Sequence, residues 1–152
     1  MNKYMKIALD EAYKGIRNGD GGPFGAAIVK DGEVIASGHN EVIKRHDPTC
    51  HGEMMAIREA SKVLGTHDLS GCEIYTTGEP CPMCMGAIPW SNIDRVFYGC
   101  NVRDTEIIGF RDENFYERIT LGHQNGFLTE LDRSACLELY REYSGIEDKE
   151  GY

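Results

Sequence analysis

The chain carries several stretches in which apolar positions recur with a definite period. In residues 3–17, Tyr4, Ala8 and Ala12 share one face, and Met5 and Ile16 lie beside them. That spacing predicts an amphipathic helix, ended by Gly19, Gly21, Gly22 and Pro23. The pattern then shortens. "FGAAIVKDGEVIASGHN" has two apolar runs on either side of Asp31-Gly32, which predicts a β-hairpin closed by a tight type I′ turn. Asp47-Pro48-Thr49 interrupts the chain, and a second amphipathic helix is expected from about 51 to 64, with Thr49 read as its N-cap and Gly65 as its stop.

"CEIYTT" (72–77) reads as a strand. "CPMCMGAIPWS" (81–91) reads as a short helix with Pro82 in its first turn, where proline is tolerated. "RVFYGC" (95–100) reads as another strand. The order hairpin, helix, strand, helix, strand predicts an α/β fold with two right-handed crossovers in a largely parallel part of the sheet. Beyond residue 100 the periodicity fades. Residues 101–119 read as loop with a helical turn or two, "GFLTEL" (126–131) as an edge strand, and 133–144 as a last helix.

A length of 152 residues suits one domain able to bury about 70% of its unfolded surface. No apolar run reaches the roughly 20 residues needed to span a bilayer, and the first residues are periodic and contain acids, unlike a secretory leader. A cytoplasmic protein is the expectation. The net charge of −9 comes from 16 basic and 25 acidic side chains, and no Lys/Arg cluster occurs. Proteins that grip nucleic acid gain much of their affinity by neutralising phosphates, so nucleic acid is not the expected partner. The six cysteines, at 50, 72, 81, 84, 100 and 136, are expected as thiols, some buried and some binding metal.

Two motifs change the picture. His51-Gly52-Glu53 opens the second helix, and Pro80-Cys81-Pro82-Met83-Cys84 opens the third. Alone, His51 is an ordinary polar helix end and Glu53 a first-turn acid favoured by the helix dipole. Alone, Cys81 and Cys84 are as compatible with redox chemistry as with zinc. Together they supply three ligands, the protein complement of a catalytic zinc site. The two-residue spacing of His51 and Glu53 suits a metal beyond the helix end rather than along its side. Partial positive charge at a helix N-terminus favours thiolates at Cys81 and Cys84. Cys50 is surplus to this set. His39, His46, His67 and His123 read as surface or turn residues, and Cys72 and Cys100 as strand core.

H-x-E followed by P-C-x-x-C is the arrangement of zinc nucleobase deaminases. On these motifs, and on "GGPFGAAIVKDGEVIASGHN", "DPTCHGEMMAIR", "LSGCEIYTTGEPCPMCMGAIPW" and "GFRDENFY", the chain resembles the cytidine-deaminase-like superfamily, and within it bacterial guanine deaminases. The resemblance runs from about Met5 to Tyr116, weakens over 117–146, and returns at the terminal "DKEGY". It implies a three-layer α/β/α fold around a five-stranded mixed sheet, with one Zn²⁺ per chain held by His51, Cys81 and Cys84. It implies Glu53 as proton shuttle, Asn40 as a hydrogen-bond partner of the base, Phe24 and Trp90 as aromatic walls, and Asp112 as the carboxylate on the guanine edge. It further implies a homodimer in which residues 117–152 are exchanged and Tyr152 helps close the partner's site.

The implied reaction is hydrolysis of a free base, guanine to xanthine and ammonia. Cytosine, isocytosine, another guanine-like base or, further off, adenosine in tRNA remain alternatives. Two departures from the family pattern bear on this choice. Gly52 stands where alanine is usual and is expected to enlarge the space beside the base. Gly78 stands where a cysteine is often found.

Overall fold

The computed structural model describes all of residues 1–152. Four strands, β1 (Gly25–Lys30), β2 (Glu33–His39), β3 (Cys72–Gly78) and β4 (Arg95–Cys100), form one mixed sheet in the order β2-β1-β3-β4. β1 is antiparallel to both neighbours, whereas β3 and β4 run parallel. The hairpin turn is as expected: Asp31 and Gly32 take φ of 50° and 80°, the left-handed pair that a type I′ turn requires.

The chain forms seven helices: α1 (Lys3–Asn18), α2 (Val42–Arg45), α3 (Gly52–Leu64), α4 (Pro82–Trp90), α5 (Val102–Ile107), α6 (Asp112–Thr120) and α7 (Arg133–Ser144). The strand period of two assigns the faces. Ala26, Ile28, Ala36, Cys72 and Ile74 point to the side of α3 and α4, where they join Ala56, Ala60, Leu69, Ile88 and Ile93 in one buried cluster. Gly25 lies on the other side, so close to α1 that an added Cβ would stand 2.0 Å from the Ala8 carbonyl oxygen. Because helices cover both faces of β1, its residues 25–29 are all buried and its sequence is an unbroken small and apolar run.

The structure corrects several expectations. The sheet has four strands and not five. Residues 126–131 form no strand because local turns engage their N–H groups: Phe127 donates to Asn125 Oδ1 at 2.9 Å, and Leu128 donates to the Gly122 carbonyl at 2.9 Å. Thr49 does not cap α3, because its backbone N–H and hydroxyl both turn back to Asp47 Oδ1, at 2.8 and 2.7 Å, and His51 is the N-cap. Cys100 ends the edge strand and is exposed, whereas Cys72 is fully buried. His39 is not a surface histidine: it is buried, with Nδ1 2.7 Å from Glu11 Oε2 and Nε2 2.8 Å from Asp20 Oδ2.

Residues 101–119 form two short helices. α5 opens with a reciprocal cap: Asp104 N–H donates to the Asn101 side chain, and Asn101 N–H to the Asp104 carboxylate. α7 lies where the sequence placed it, yet buries no residue. No helix is long and apolar enough to cross a membrane.

Candidate active site

The site lies where the N-termini of α3 and α4 meet, beside the start of β1 and the end of β2. His51 and Cys81 are the N-caps of α3 and α4, both in extended backbone conformation, and neither spends its side chain on capping. The side chains are thereby free to converge. His51 Nδ1 stands 3.5 Å from Cys81 Sγ and 3.7 Å from Cys84 Sγ.

The donor set fits zinc. Tetrahedral zinc with ordinary Zn–S and Zn–N bond lengths places sulfur and nitrogen ligands about 3.6 Å apart. The three ligand atoms all lie within 4.8 Å of one another. Cys50, although adjacent in sequence, is outside this group and faces Arg58, whose guanidinium stands 3.4 Å from its Sγ.

The charges follow from burial and contact. A hydrogen bond from the Cys84 thiol, aided by His51, draws the Cys81 thiol down to about 4, despite burial. Cys84, giving that hydrogen bond and itself buried, is pushed up. His51 is raised chiefly by its contact with Cys81. One thiolate is therefore ready at neutral pH, and a divalent cation would take the place of the proton that the two thiols share.

Glu53, in the first turn of α3, is buried, and burial pushes its carboxyl up, with the Cys81 thiolate adding to the shift. A carboxylate of raised affinity for protons beside a metal site is equipped to accept and return them. Asp112, at the start of α6, is half-buried and is raised for the same two reasons in the same order. Phe24, Asn40, His51, Glu53, Cys81 and Asp112 line one small cavity. The Asn40 side-chain oxygen accepts the Val42 N–H at 3.1 Å, which orients the amide so that its NH₂ can donate to a ligand.

Two residues of this cavity were missed. Glu79 precedes Pro80-Cys81 directly, and its Oε2 takes the Val102 N–H at 3.0 Å. Phe110 lies two residues before Asp112 and meets Phe24 edge-on, with centroids 4.8 Å apart. Their proximity in sequence to Cys81 and Asp112 was the available signal. The cavity opens into a wider one of about 670 Å³ that shares Asn40, His51, Phe110 and Asp112 and adds Val42, Ile43, Pro48, Met83 and Phe115.

Trp90 and Tyr152 are not brought to the cluster of their own chain. Cys84 is in the first turn of α4 and Trp90 at its far end, so the helix rise alone separates them by about 9 Å. Trp90 is 66% exposed, and its ring lies 5.9 Å from that of Tyr152. Gly52 does not enlarge the cavity either: the Phe24 carbonyl occupies the space an alanine methyl would need, 2.9 Å from the ideal Cβ position.

Residues 1–100 match the family model of the cytidine and deoxycytidylate deaminase zinc-binding region. The chain belongs to this family. It is a zinc-dependent hydrolytic deaminase, and the His51, Cys81 and Cys84 cluster is the group in it that could hold the metal. Within the family, it is 49% identical over 116 residues to guanine deaminase of Bacillus subtilis, covering 76% of this chain and 74% of that one. The X-ray structure of guanine deaminase from Bacillus subtilis superposes with a TM-score of 0.90 at 39% identity, over 100% of this chain and 99% of that one. Similarity also extends to a tRNA-specific adenosine deaminase of Aquifex aeolicus, 47% identical over 95 residues, which are 62% of each chain.

Proposed function

We propose that the chain deaminates a free guanine-type base, converting guanine and water to xanthine and ammonia. The observation that carries this reading is the polarity of the inner cavity. Three carboxylates, Glu53, Glu79 and Asp112, face a single amide donor, Asn40. The guanine edge around C2 is rich in N–H donors, whereas its O6 and N7 are acceptors. Asp112 would accept from the ring N–H, and Asn40 would donate to the acceptor side. The likeness to the Bacillus guanine deaminase over the whole chain supports the same reading. The net charge of −9 counts against a folded RNA.

His51, Cys81 and Cys84 would hold the metal. Zinc there would act as a Lewis acid, making water nucleophilic near neutral pH. Glu53 would take one proton from the attacking water and pass it to the ring nitrogen, then take the second from the hydroxyl now on the ring carbon and pass it to the departing amine, which leaves as ammonia. Its burial favours this role, since a carboxyl held above the usual carboxylate range has a raised affinity for the proton it must accept. Asp112 and Asn40 would fix the base in the plane in which its amino-bearing carbon meets that water, with Phe24 against the ring.

The wider cavity points to a second copy of the chain. Its wall is largely apolar, and residues 121–152 leave Phe127, Leu128, Leu131, Leu139, Tyr140 and Tyr143 exposed. Exchange of residues 117–152 between two copies would cover both surfaces. It would also carry Tyr152, at the end of the exchanged segment, towards the partner's site, while Trp90 stays with its own chain.

The deciding experiment measures ammonia release by the zinc-loaded protein from guanine, cytosine, isocytosine and an adenosine-containing anticodon stem-loop. The reading expects guanine to give the highest kcat/KM. Preference for cytosine, or turnover of the RNA with a steep salt dependence, would replace it with the corresponding alternative.

A further inference from the structure

His39 is a buried titratable group that the proposed reaction does not use. Its ring packs against α1 at Gly15, where an added Cβ would stand 2.7 Å from His39 Cδ2. Nδ1 lies 2.7 Å from Glu11 Oε2 and Nε2 lies 2.8 Å from Asp20 Oδ2. Both contacts are hydrogen bonds when each ring nitrogen carries a proton, so the protonated ring joins α1 to the loop that follows it. Glu41 Oε1 is 3.8 Å from Nε2, but Glu41 is already paired with Lys44 and Arg45. Asp20 is buried and carries the connection further. Its N–H donates to the Gly15 carbonyl at 2.9 Å, and its own carbonyl accepts the N–H groups of Ile43 and Lys44, both at 3.0 Å. Those two donors belong to α2, a four-residue helix with no side-chain N-cap and no buried residue. A helix so short does not hold itself, and the Asp20 carbonyl ties its first turn to the rest of the chain. The Val42 N–H of α2 in turn donates to Asn40 Oδ1 at 3.1 Å. Gly21, next to Asp20, closes on the same oxygen: a Cβ there would stand 2.1 Å from Asn40 Oδ1. The Asn40 amide is thus held from two sides, and both lead back to Asp20.

We propose that His39 and Asp20 are positioning residues for the base: through residues 20–21 and α2 they fix the Asn40 amide that donates to its acceptor side. The inference rests on the proposed action on a guanine-type base and adds the support behind its amide partner. Neither residue lines the inner cavity, so both act through Asn40. The hydrogen bond from His39 also holds the Asp20 carboxyl below its ordinary value, which keeps it ionised as the ring's partner. His51, Glu53, Cys81 and Cys84 stand on α3 and α4, outside this series of contacts. Losing the series therefore changes how the base is held and leaves the metal ligands and the proton shuttle in place.

The test compares Asp20→Ala, Asp20→Asn, His39→Leu and the double variant Asp20→Ala/His39→Leu. KM and kcat for guanine are measured separately, together with zinc content, and crystal structures are determined for the wild type and the variants. Asp20→Ala raises the guanine KM about five- to ten-fold, the weight of one hydrogen bond to the base, with kcat and zinc content close to wild type. Asp20→Asn recovers most of that loss, because its amide oxygen still accepts from Nε2. The double variant is no worse than the worse single one, since the two residues act in series. A fall in kcat with KM unchanged, no rise in KM, no recovery in Asp20→Asn, or additive losses in the double variant overturns the proposal. If Asp20→Ala or His39→Leu fails to fold, His39→Gln takes its place. Its single amide nitrogen cannot serve Glu11 and Asp20 as the ring does, so the guanine KM must still rise, and an unchanged KM overturns the proposal. Should the wild type not act on guanine, the functional reading fails by itself. The crystal of the folded variant then decides the positioning role: α2 and the Asn40 amide displaced relative to α3 uphold it, and both unmoved overturn it.

Discussion

The first hundred residues and the last fifty-two are built in opposite ways. Of the 33 buried residues, two, Thr105 and Gly122, lie beyond residue 100. The first region has a sheet with helices on both faces, and it carries His51, Glu53, Cys81 and Cys84 on rigid helix ends. The second contributes Asp112 and then a helix, α7, with no buried residue. Metal ligands must be held to a fraction of an ångström, which needs a packed scaffold. Closing a site over a small base needs a surface that can come and go. The contrast teaches that the chemistry belongs to the first region and that the second can complete its packing only against another surface.

The sharpest way to break this contrast is at Glu53. Replacing Glu53 by Gln keeps the side chain's shape and the metal ligands but removes the proton acceptor. The expected loss in kcat is on the order of 10²–10⁴-fold, with one zinc per chain retained. A zinc-loaded variant turning over near the wild-type rate would move the proton shuttle to another residue. Tyr152→Ala, in the second region, should cost far less in kcat and mainly raise KM.

Next in size is the stability contrast. Ile74 is fully buried in the main cluster. Ile74→Ala should lower unfolding free energy by about 2–5 kcal/mol, through lost burial and the cavity left behind. Leu139 is 64% exposed on α7. Leu139→Asp should leave the unfolding of isolated chains within about 0.5 kcal/mol of wild type. The proposed exchange of residues 117–152 expects it to give monomers in sedimentation where the wild type gives dimers, and to depress activity. A Leu139→Asp protein that stays dimeric would mean the exposed face of α7 lies outside the dimer contact.

An acid titration separates the regions without mutation. His39 holds Asp20 below the ordinary carboxylate value of 3.8 by a hydrogen bond, and Arg45 and Lys44 hold Glu41 below 4.5 against the cost of its burial. Both folded-state values are depressed, so the stability these contacts give is fully present above the unfolded values and is lost as pH falls through the folded ones. Far-UV circular dichroism should show the first region loosening below about pH 4, where protonation of the unfolded chain begins to compete. His39→Gln should move that transition to higher pH, because Asp20 loses the partner that keeps it ionised.

The sequence disclosed most where a local rule and the final packing agree. The hairpin turn at Asp31-Gly32, the α3 stop at Gly65 and the helix start at Pro82 each follow from backbone conformation, and all are as expected. The three ligands were legible because H-x-E and P-C-x-x-C each open a helix, and side chains at or in the first turn of two helices that meet end to end can converge on one point. What was not legible depends on approach between distant segments. His39 looked like a turn histidine because Glu11 and Asp20, its partners, sit on and just after α1. Gly52 looked like added space because nothing in the sequence says that the Phe24 carbonyl fills it. The expected fifth strand failed because Asn125 and Gly122 form local turns that use the N–H groups of 127 and 128. Trp90 and Tyr152 belong together, but no periodicity relates residues 62 apart.

The smallest effect tests the seam between the regions. Tyr116, on α6, donates its hydroxyl to the Pro80 carbonyl at 2.8 Å, one residue before Cys81, and burial pushes that phenol up to about 12. The bond is neutral through the working pH range, so removing it should cost about 0.5–1.5 kcal/mol, the ordinary net worth of a hydrogen bond. Its place on α6 gives it a second consequence. Asp112 begins the same helix, one turn away, so a loosened α6 displaces the carboxylate proposed to hold the base and leaves the zinc cluster in place. Tyr116→Phe should therefore raise KM severalfold while kcat and zinc content stay close to wild type. A fall in kcat with KM unchanged would mean that the bond to Pro80 orients Cys81, and that the two regions are joined at the metal rather than at the base.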